Sequence, residues 1–356
     1  MFMIRSHILT TFIALNIYAT ITYAQIPIST AWNDYTCDDP VIEHVIGLPV
    51  MQRMKDIAVA GPTYYLGMVP DYSRYDHCIG VWWLLKEKAH VDQKQQLVGL
   101  LHDASHTVFS HLGDIVFGKG DGDKSYQDTI HLWFLSHYQD LLTFIKTQAI
   151  TLESLDPDLA EYKALEQPLP DLCADRIEYN LATGVAFGKI TKEEAYAIIQ
   201  ALEYHDGLWF FTDTQQAKKF AELPLFFTKN IWGGHENIFV YHCFKNIIVH
   251  AITTGLITRE LMHFGSDTDI MNAIRKSNDP VIKEWLIKAT EYHKHYTLVE
   301  YSNGDINTRP KCRAVDPYVY INETYNRLSG LDEDFAQQLH ALQTWCRTGY
   351  GIRFTF

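Results

Sequence analysis

The sequence predicts an all-α protein with at most minor β structure. Over most of the 356 residues, apolar side chains recur with helical periodicity, and the two-residue alternation typical of strands is rare. A hydrophobic fraction of 47% is ample for a large core, in one big domain or in a domain with an added lobe. We therefore expect functional side chains to lie on helices and on the turns between them.

The helices of the first half begin and end at local signals. Asp39-Pro40 can begin the first helix, with Pro in its first turn, and Gly61-Pro62 ends a short amphipathic helix over residues 50–59. Residues 73–90 form a helix whose apolar face runs from Ile79 to Leu85. Helical segments are also predicted over residues 92–104, 109–116 (helix or turn), 126–148, 159–167 and 171–182.

The second half continues the helical pattern, and Tyr318 to Ile321 is a short strand-like run. Bulky aromatic residues between Trp209 and Tyr241, Trp232 among them, are expected to be core because such side chains bury a large area. Helices are predicted over residues 191–204, 214–221, 224–262, 267–278, 280–296 and 331–347.

The N-terminus has the layout of a secretory signal peptide over residues 1–24. Arg5 is the one formal charge, an apolar run from Ile8 to Ile21 follows, and Thr22 and Ala24 are small residues before a cleavage point. The run is shorter than the about 20 residues of a membrane span. We expect an exported protein, periplasmic or secreted, without membrane attachment after cleavage; an uncleaved anchor and a soluble helix are alternatives.

Composition limits the partners. A formal net charge of −13 does not provide the broad basic surface that non-specific nucleic-acid binding needs. A small anionic substrate is compatible with this charge if a metal or a few Arg and Lys residues act locally. The six cysteines form no CxxC pair, so we expect buried free thiols, although export would permit disulfides.

The most informative stretch is QLVGLLHDASHTVFSHLGD, residues 96–114. An apolar helix face leads there into three histidines and two aspartates, whose burial costs several kcal/mol each unless they are paired or bound to a metal. His102 and Asp103 are adjacent and point about 100° apart on a helix, so an ion beside the helix could touch both. Two ligands do not hold a metal, and others must come from elsewhere.

His77 and Asp175 are the further ligand candidates. Two imidazoles and two carboxylates suit a divalent ion such as Fe, Mn, Ni, Zn or Mg and leave positions for water and a phosphate oxygen. Arg74 lies three residues before His77 on the same helix face and can form bidentate bonds to phosphate. The residues therefore predict a site for a metal and a phosphate.

Three residues of the central stretch are candidates for proton transfer. His106 lies four residues after His102 and is expected to share its helix face, as a phosphate contact or proton donor. His111 and Asp114 are spaced so that the carboxylate can orient the imidazole, which makes His111 a candidate general acid or base.

The order of these residues resembles the H…HD…D ligand set of the HD-domain metal-dependent phosphohydrolase superfamily. Their spacing resembles the deoxynucleoside triphosphate triphosphohydrolase branch over about residues 39–185, and KCRAVDPYV (311–319) is similar to a late segment of some members. The matching segments are MQRMKDIAVAG (51–61), SRYDHCIGV (73–81), LLHDASHTVFSH (100–111) and ADRIEY (174–179).

The resemblance implies an HD-domain helical bundle with additional C-terminal helices. Its catalytic core would span residues 25–190, and residues 191–356 would be a helical part packed on it that does not fold independently. A metal-activated water would hydrolyse a phosphate ester, most simply of a nucleotide, and a homo-oligomer is expected by analogy alone. The implied roles are metal ligands His77, His102, Asp103 and Asp175; phosphate or sugar contacts Arg74, Arg176 and Tyr179; and catalytic residues His106, His111 and Asp114.

Three positions depart from the triphosphohydrolase pattern. Tyr126-Gln127 or Gln127-Asp128 stands at the usual His-Glu pair, and His131 could substitute only if its helix were shifted. Val59-Ala60 replaces Gln-Leu near the sugar, and Thr183 stands where an acidic residue would hold the 3′-hydroxyl. The metal and α-phosphate machinery is predicted to be kept and deoxyribose recognition to be altered, so dNTPs, other nucleotides and other phosphate esters stay open as substrates.

Two other functions are compatible with the sequence. The absent His-Glu pair motivates a catalytically weak HD fold that binds a nucleotide as a sensor or effector. The HDxxH run over residues 102–106 also has the shape of the zinc-protease motif HExxH. For a protease, however, Asp is one methylene shorter than the Glu base, and no third ligand follows at the glycine-spaced position.

Overall fold

The computed structural model describes residues 26–70, 72–118 and 124–356. The predicted signal peptide over residues 1–24 lies outside the described residues. Within the described ranges, no helix is both long and apolar enough to cross a membrane. All six cysteines fall in these ranges as free thiols, and five of them are buried.

Helices make up most of the described chain, which confirms its mostly helical character. In the first half they are α1 (Pro40–Gly47), α2 (Pro49–Arg53), α3 (Pro62–Tyr65), α4 (Arg74–Glu87), α5 (Gln93–Leu101), α6 (Leu112–Val116), α7 (Tyr126–Leu135), α8 (Gln139–Thr147) and α9 (Ala174–Ala186). In the second half they are α10 (Lys192–Gln200), α11 (Thr214–Phe227), α12 (His235–Thr253), α13 (Arg259–Phe264), α14 (Asp267–Lys276), α15 (Pro280–Thr290), α16 (Leu328–Leu331) and α17 (Glu333–Thr348).

Short strands add more β structure than the sequence predicted. They form a β1–β2 hairpin, a four-stranded sheet in the order β3-β4-β7-β8 and a three-stranded sheet in the order β5-β9-β6, with β4 and β7 parallel and the other pairs antiparallel. Only β7 was predicted, because strands of three to five residues are too short to show clear alternation. The strands are β1 (Ile26–Ser29), β2 (Asp34–Cys37), β3 (Leu202–His205), β4 (Leu208–Phe211), β5 (Tyr296–Val299), β6 (Ile306–Thr308), β7 (Tyr318–Ile321), β8 (Thr324–Arg327) and β9 (Tyr350–Phe354).

Several predicted helices end differently in the structure. The helix predicted over residues 92–104 ends at Leu101, and residues 159–167 form turns between Pro157 and Pro168 instead of a helix. The long apolar stretch over 224–262 is divided by a π-helical turn, Thr228–Trp232, and by a glycine pair before α12. Apolar periodicity continues through buried turns, so it does not mark where a helix ends.

Two hydrophobic clusters form the core. The larger surrounds Trp82 and Phe134 and also takes in the predicted core residues Trp209, Phe211 and Phe227. The smaller packs the region around residues 108–112 against α12 to α15. Both clusters draw residues from either side of residue 190, so the predicted catalytic core and C-terminal part share their buried surface.

The C-terminal part also holds the loop that follows α5. Asp267, the first residue of α14, is fully buried, and its carboxylate accepts the backbone N–H of Ala58 at 2.9 Å and of Phe109 at 2.6 Å. Phe109 and Ser110 have φ angles of 62° and 53°, in the left-handed region that is unfavourable for side chains other than glycine. Asp267 therefore stabilises a strained backbone directly before His111.

Replacement of Asp267 by alanine is expected to lower the free energy of unfolding by about 2–5 kcal/mol. Two buried backbone N–H groups lose their acceptor, and each such loss costs about 1–3 kcal/mol. Urea denaturation measures the change. Glu260→Ala, at an exposed position on α13, is the control and should stay within about 0.5 kcal/mol of the parent protein. Equal stability of the two variants would contradict the role given to Asp267.

Candidate metal centre

Three of the four predicted metal ligands, His77, His102 and Asp175, converge at one point, and Asp103 lies beside them. His77 lies in the first turn of α4, His102 and Asp103 directly follow α5, and Asp175 lies in the first turn of α9. The His77 Nε2 atom is 3.0 Å from Asp175 Oδ1, 3.2 Å from His102 Nε2 and 3.3 Å from Asp103 Oδ2. Ligand atoms that share an ion at about 2.1 Å lie roughly 3.0–3.4 Å apart at octahedral or tetrahedral angles. The donor set and its spacing therefore fit one divalent ion.

The backbone around His102 differs from the prediction, because α5 ends before it. Asp103 and His106 lie in consecutive turns, so His106 does not share a helix face with His102; its Nε2 atom lies 3.1 Å from Asp103 Oδ1 instead. Among the described residues, one metal-ligand cluster joins His102 to His77 and Asp175, and a second joins Glu166, Cys173 and Asp175. A zinc protease needs both histidines of the motif on one helix, and this geometry speaks against that alternative.

The cluster stabilises positive charge at its centre. Burial disfavours the imidazolium of His77, but the surrounding carboxylates, Glu178 foremost, raise its pKa to about 10. Burial would likewise raise the pKa of Asp175, yet hydrogen bonds from His102 and His77 hold that pKa far below its usual value. A divalent cation supplies such positive charge directly and replaces the protons on the imidazoles.

Glu178 orients His77, a role that sequence reasoning missed. Its carboxylate contacts Nδ1 of His77, which leaves Nε2 for the cluster. Gly80 of α4 makes this contact possible, because a Cβ atom there would lie 2.6 Å from Glu178 Cγ. The available signal was the position of Glu178, three residues after Asp175 and therefore on the same face of α9.

Arg74 is buried beside the cluster and holds one of its ligands. Its Nη1 donates to Asp103 Oδ2 at 2.5 Å, and its Nε donates to the Ser110 hydroxyl at 3.0 Å. Ser110 in turn donates to the carbonyl of Ala58 at 2.6 Å. Arg74 thus connects the metal ligand Asp103 to the strained loop, and the phosphate contact assigned to it stays a prediction.

The three candidate proton-transfer residues lie together. The rings of His106 and His111 are 5.0 Å apart, and Nδ1 of His111 is 3.4 Å from Asp114, which also accepts the Tyr126 N–H at 2.6 Å. Burial and then Arg74 lower the pKa of His106 to about 3; its Nε2 lies 3.1 Å from Asp103 Oδ1, and its Nδ1 has no hydrogen-bond partner among the described residues. His106 therefore contacts Asp103 directly, and His111 contacts the ring of His106.

His111 titrates in a mixed environment. Burial lowers its pKa, the hydrogen bond with Asp114 opposes this shift, and the charges of Arg74 and Arg313 lower the pKa further. The net shift is downward, so His111 is neutral near pH 7 and can accept a proton.

Arg176 and Tyr179, the predicted substrate contacts on α9, have different surroundings. Arg176 donates to the backbone carbonyls of Asp171 and, at 3.0 Å, of Gln167, so its guanidinium holds the turn before α9; its phosphate role stays a prediction. The Tyr179 ring contacts the Trp232 ring edge to face at 5.4 Å between centroids. Trp232 was expected to be core, but it is only partly buried.

The positions that depart from the triphosphohydrolase pattern have partners of their own. His131 is fully buried; its Nδ1 lies 3.1 Å from the Ser105 hydroxyl and its Nε2 lies 3.2 Å from the Leu155 carbonyl, so it does not replace the absent histidine. Burial lowers the pKa of His131 to about 4. Thr183 is buried on α9 and lies near the Tyr72 hydroxyl, which donates to the Tyr179 carbonyl at 3.5 Å.

The cluster opens to solvent on the side of α9. The side chains of His77 and His102 are 1% and 5% exposed, whereas those of Asp175 and His111 are 23% and 38% exposed. Solvent therefore reaches the site at Asp175 and at His111.

Several known proteins are similar to this chain in sequence. No protein-family model matches the chain. It is 27% identical over 316 residues to YdhJ of Bacillus subtilis, an uncharacterised protein, across 88% of this chain and 95% of that protein. It is 25% identical over 288 residues to metal-dependent phosphohydrolase cns2 of Cordyceps militaris, across 79% of this chain and 81% of that protein. A match to deoxynucleoside triphosphate triphosphohydrolase SAMHD1 of Xenopus laevis, 32% identical over 89 residues, spans 21% of this chain and 14% of that protein.

Solved structures share the fold. A phosphohydrolase from Bacteroides thetaiotaomicron aligns with a TM-score of 0.65 at 12% identity, across 87% of this chain and 95% of that chain. A hypothetical protein from Aquifex aeolicus aligns with a TM-score of 0.59 at 13% identity, across 88% of this chain and 93% of that chain. Identities this low show the fold alone.

Replacement of Glu178 by glutamine is expected to weaken metal binding about 10- to 100-fold. The amide loses the negative charge that orients His77, and removal of such a partner of a ligating histidine costs about this factor. Titration with Mn, read by calorimetry, measures the affinity. Glu193→Gln, exposed on α10, is the matched control and should bind Mn as the parent protein does. Unchanged affinity in Glu178→Gln would remove Glu178 from the centre.

Proposed function

We propose that this chain, which belongs to the HD-domain phosphohydrolase superfamily, hydrolyses a phosphate ester of a nucleotide with one divalent metal ion. The observation that carries the proposal is the convergence of His77, His102 and Asp175, whose donor atoms lie 3.0–3.5 Å apart, with Asp103 beside them at 3.3 Å from His77 and 3.8 Å from His102. The match to a metal-dependent phosphohydrolase across most of both chains supports it.

The four ligands would hold the ion, which supplies Lewis acidity: it lowers the pKa of water and polarises a phosphoryl group. Glu178 fixes the ring of His77 so that Nε2 faces the ion. Arg74 fixes Asp103 from the opposite side and places positive charge near the phosphoryl oxygens. These contacts preorganise the site before a substrate arrives.

His111 is the residue that moves protons in this proposal. Asp114 occupies its Nδ1 side, so Nε2 exchanges the proton with the attacking water or the leaving group. His106 is neutral and deeply buried; its Nε2 lies beside Asp103, and its unpaired Nδ1 can accept a hydrogen bond from a water molecule or a phosphate hydroxyl. The side chain of His111 is exposed enough to exchange the proton with solvent.

A nucleoside triphosphate is the substrate class that we place first. The short match to a triphosphohydrolase supports it, as does Tyr179 at the open side of the cluster. Thr183 is buried and carries no charge at the position where triphosphohydrolases have an acidic residue, which supports altered sugar recognition. We therefore include ribonucleotides beside deoxyribonucleotides.

A nucleotide sensor of low activity is the second candidate. His131 is held by two structural hydrogen bonds, and Tyr126 and Gln127 stand where triphosphohydrolases have a His-Glu pair. In this alternative, the metal centre binds the nucleotide, and the chain hydrolyses it slowly or not at all.

A product screen distinguishes the two candidates. The protein is loaded in turn with Mn, Fe, Ni, Zn or Mg and incubated with dNTPs, NTPs, nucleoside monophosphates and a phosphodiester, and the products are identified by mass spectrometry. Nucleoside plus triphosphate indicates a triphosphohydrolase, and phosphate released from monophosphates indicates a nucleotidase. Tight nucleotide binding without product under every metal would favour the sensor and overturn the hydrolase.

Replacement of Asp175 by alanine is expected to abolish hydrolysis and to reduce bound metal to background. This change removes the partly exposed ligand of a four-residue site. Metal content by mass spectrometry and turnover on the best substrate are the two readouts. Asp171→Ala, four residues earlier in the turn before α9, is the control for metal content. Normal turnover in the Asp175 variant would refute the assigned ligand set.

Replacement of Asp114 by asparagine is expected to lower the maximal rate about 10- to 100-fold and to move the acid limb of the rate–pH profile to lower pH. Asp114 raises the pKa of His111, so its removal lets burial and Arg74 lower that pKa further. The pH dependence of kcat measures the shift. Asp140→Asn, exposed on α8, should leave the profile unchanged. A limb that stays in place would exclude His111 as the titrating base.

A further inference from the structure

Arg313 stands at the open side of the metal centre. Its guanidinium carbon lies 5.9 Å from the centroid of the Trp232 ring, and Trp232 contacts Tyr179 at 5.4 Å. Tyr179 lies one helical turn after Asp175 on α9, about 6 Å along the helix axis. Arg313 and Asp175 therefore lie on either side of the ring pair formed by Trp232 and Tyr179, and they belong to different segments of the chain.

The charge of Arg313 reaches residues on both sides of the opening. It contributes to the lowered pKa of His111 and opposes the rise that burial causes in the pKa of Tyr179. His111 and Tyr179 belong to different segments, so the guanidinium lies near the space between them. Asp175 is partly exposed to solvent toward this space, so a substrate would approach the metal through it.

Arg313 differs from the other arginines of the site in its bonding. Arg74 is bound to Asp103 and Ser110, and Arg176 is bound to backbone carbonyls. Arg313 is half-buried, and its side chain forms no hydrogen bond or ion pair with any residue in the described ranges. Its five N–H donors remain for a ligand, and a guanidinium fork matches the oxygens of a phosphate or carboxylate.

We propose that Arg313, flanked by Trp232 and Tyr179, is a second anion subsite: it binds a negatively charged group of the substrate other than the phosphoryl group at the metal. Arg313 makes no ion pair with Asp103 or Asp175, so a ligand that touches both the ion and the guanidinium has to extend between them. A phosphate ester with a second phosphate fits this requirement. The inference rests on the proposed function, because it takes the first phosphoryl group to lie at the metal.

Binding of inorganic anions tests the subsite without turnover. The full chain loaded with Mn is titrated calorimetrically with tripolyphosphate and with orthophosphate. Arg313→Gln is expected to weaken tripolyphosphate binding about 10-fold or more and orthophosphate binding less than about 2-fold, since only the longer anion reaches the guanidinium. Arg313→Lys keeps the charge without the fork and should give an intermediate loss for tripolyphosphate.

Arg309→Gln is the matched control. Arg309 lies four residues before Arg313, is exposed, and stacks over Tyr301 at 4.4 Å instead of facing the centre. The Arg309→Gln variant should bind both anions as the parent protein does. Urea denaturation of each variant shows whether the fold is kept, and Arg313→Lys carries the test if Arg313→Gln does not fold.

Three results would overturn the subsite: no binding of tripolyphosphate by the parent protein, unchanged binding by both Arg313 variants, or equal weakening of both anions, which would place Arg313 at the first phosphoryl group. The absence of turnover in the product screen, together with a loss specific to tripolyphosphate, would refute the hydrolase and keep the subsite.

Discussion

The burial of several carboxylates with two imidazoles at one point is the constraint on which the rest of the site depends. The buried carboxylates Asp103 and Glu178 and the partly exposed Asp175 meet where α4, α5 and α9 come together, and an unpaired carboxylate is costly to bury. They are tolerated because positive groups surround them: His77 and His102 within the cluster and Arg74 at its edge. A cation at the centre would complete this balance of charge. The same positive charge that makes the carboxylates tolerable in the fold would also serve phosphate-ester chemistry.

A strained loop carries the residues that act next to the ion. Residues 102–111 leave α5 and turn repeatedly, with Phe109 and Ser110 in the left-handed region. The strain persists because distant groups hold the loop: Asp267 accepts the Phe109 N–H, and Arg53 donates to the carbonyls of Ala104 and His106. An unfavourable backbone conformation of this kind persists only where contacts with the surrounding structure fix it. The C-terminal part of the chain is thereby coupled to the centre.

The arginines near the site differ in what they bind. Arg53 and Arg176 are used to hold backbone, Arg74 holds a metal ligand, and Arg313 faces the opening without an acceptor among the described residues. In a chain with a net charge of −13, a single unpaired guanidinium at the mouth of an acidic centre has a large effect on where an anion can lie. Charge at the site is thus local and directional, and the overall composition gives no indication of it.

The sequence by itself predicted which side chains meet at the centre, because the order of His77, His102, Asp103 and Asp175 along the chain specifies donor chemistry independently of exact backbone geometry. It also determined the mostly helical character and the starts of α1 and α4, where capping residues and periodicity agree. Tertiary structure alone decided that α5 ends before His102, that Arg176 and His131 are held by structural hydrogen bonds, that Glu178 contacts His77 and that Arg313 lies beside Trp232. The reason is physical: a side chain's role depends on which acceptors and charges lie within about 3–4 Å of it. Those neighbours come from segments far apart in the chain.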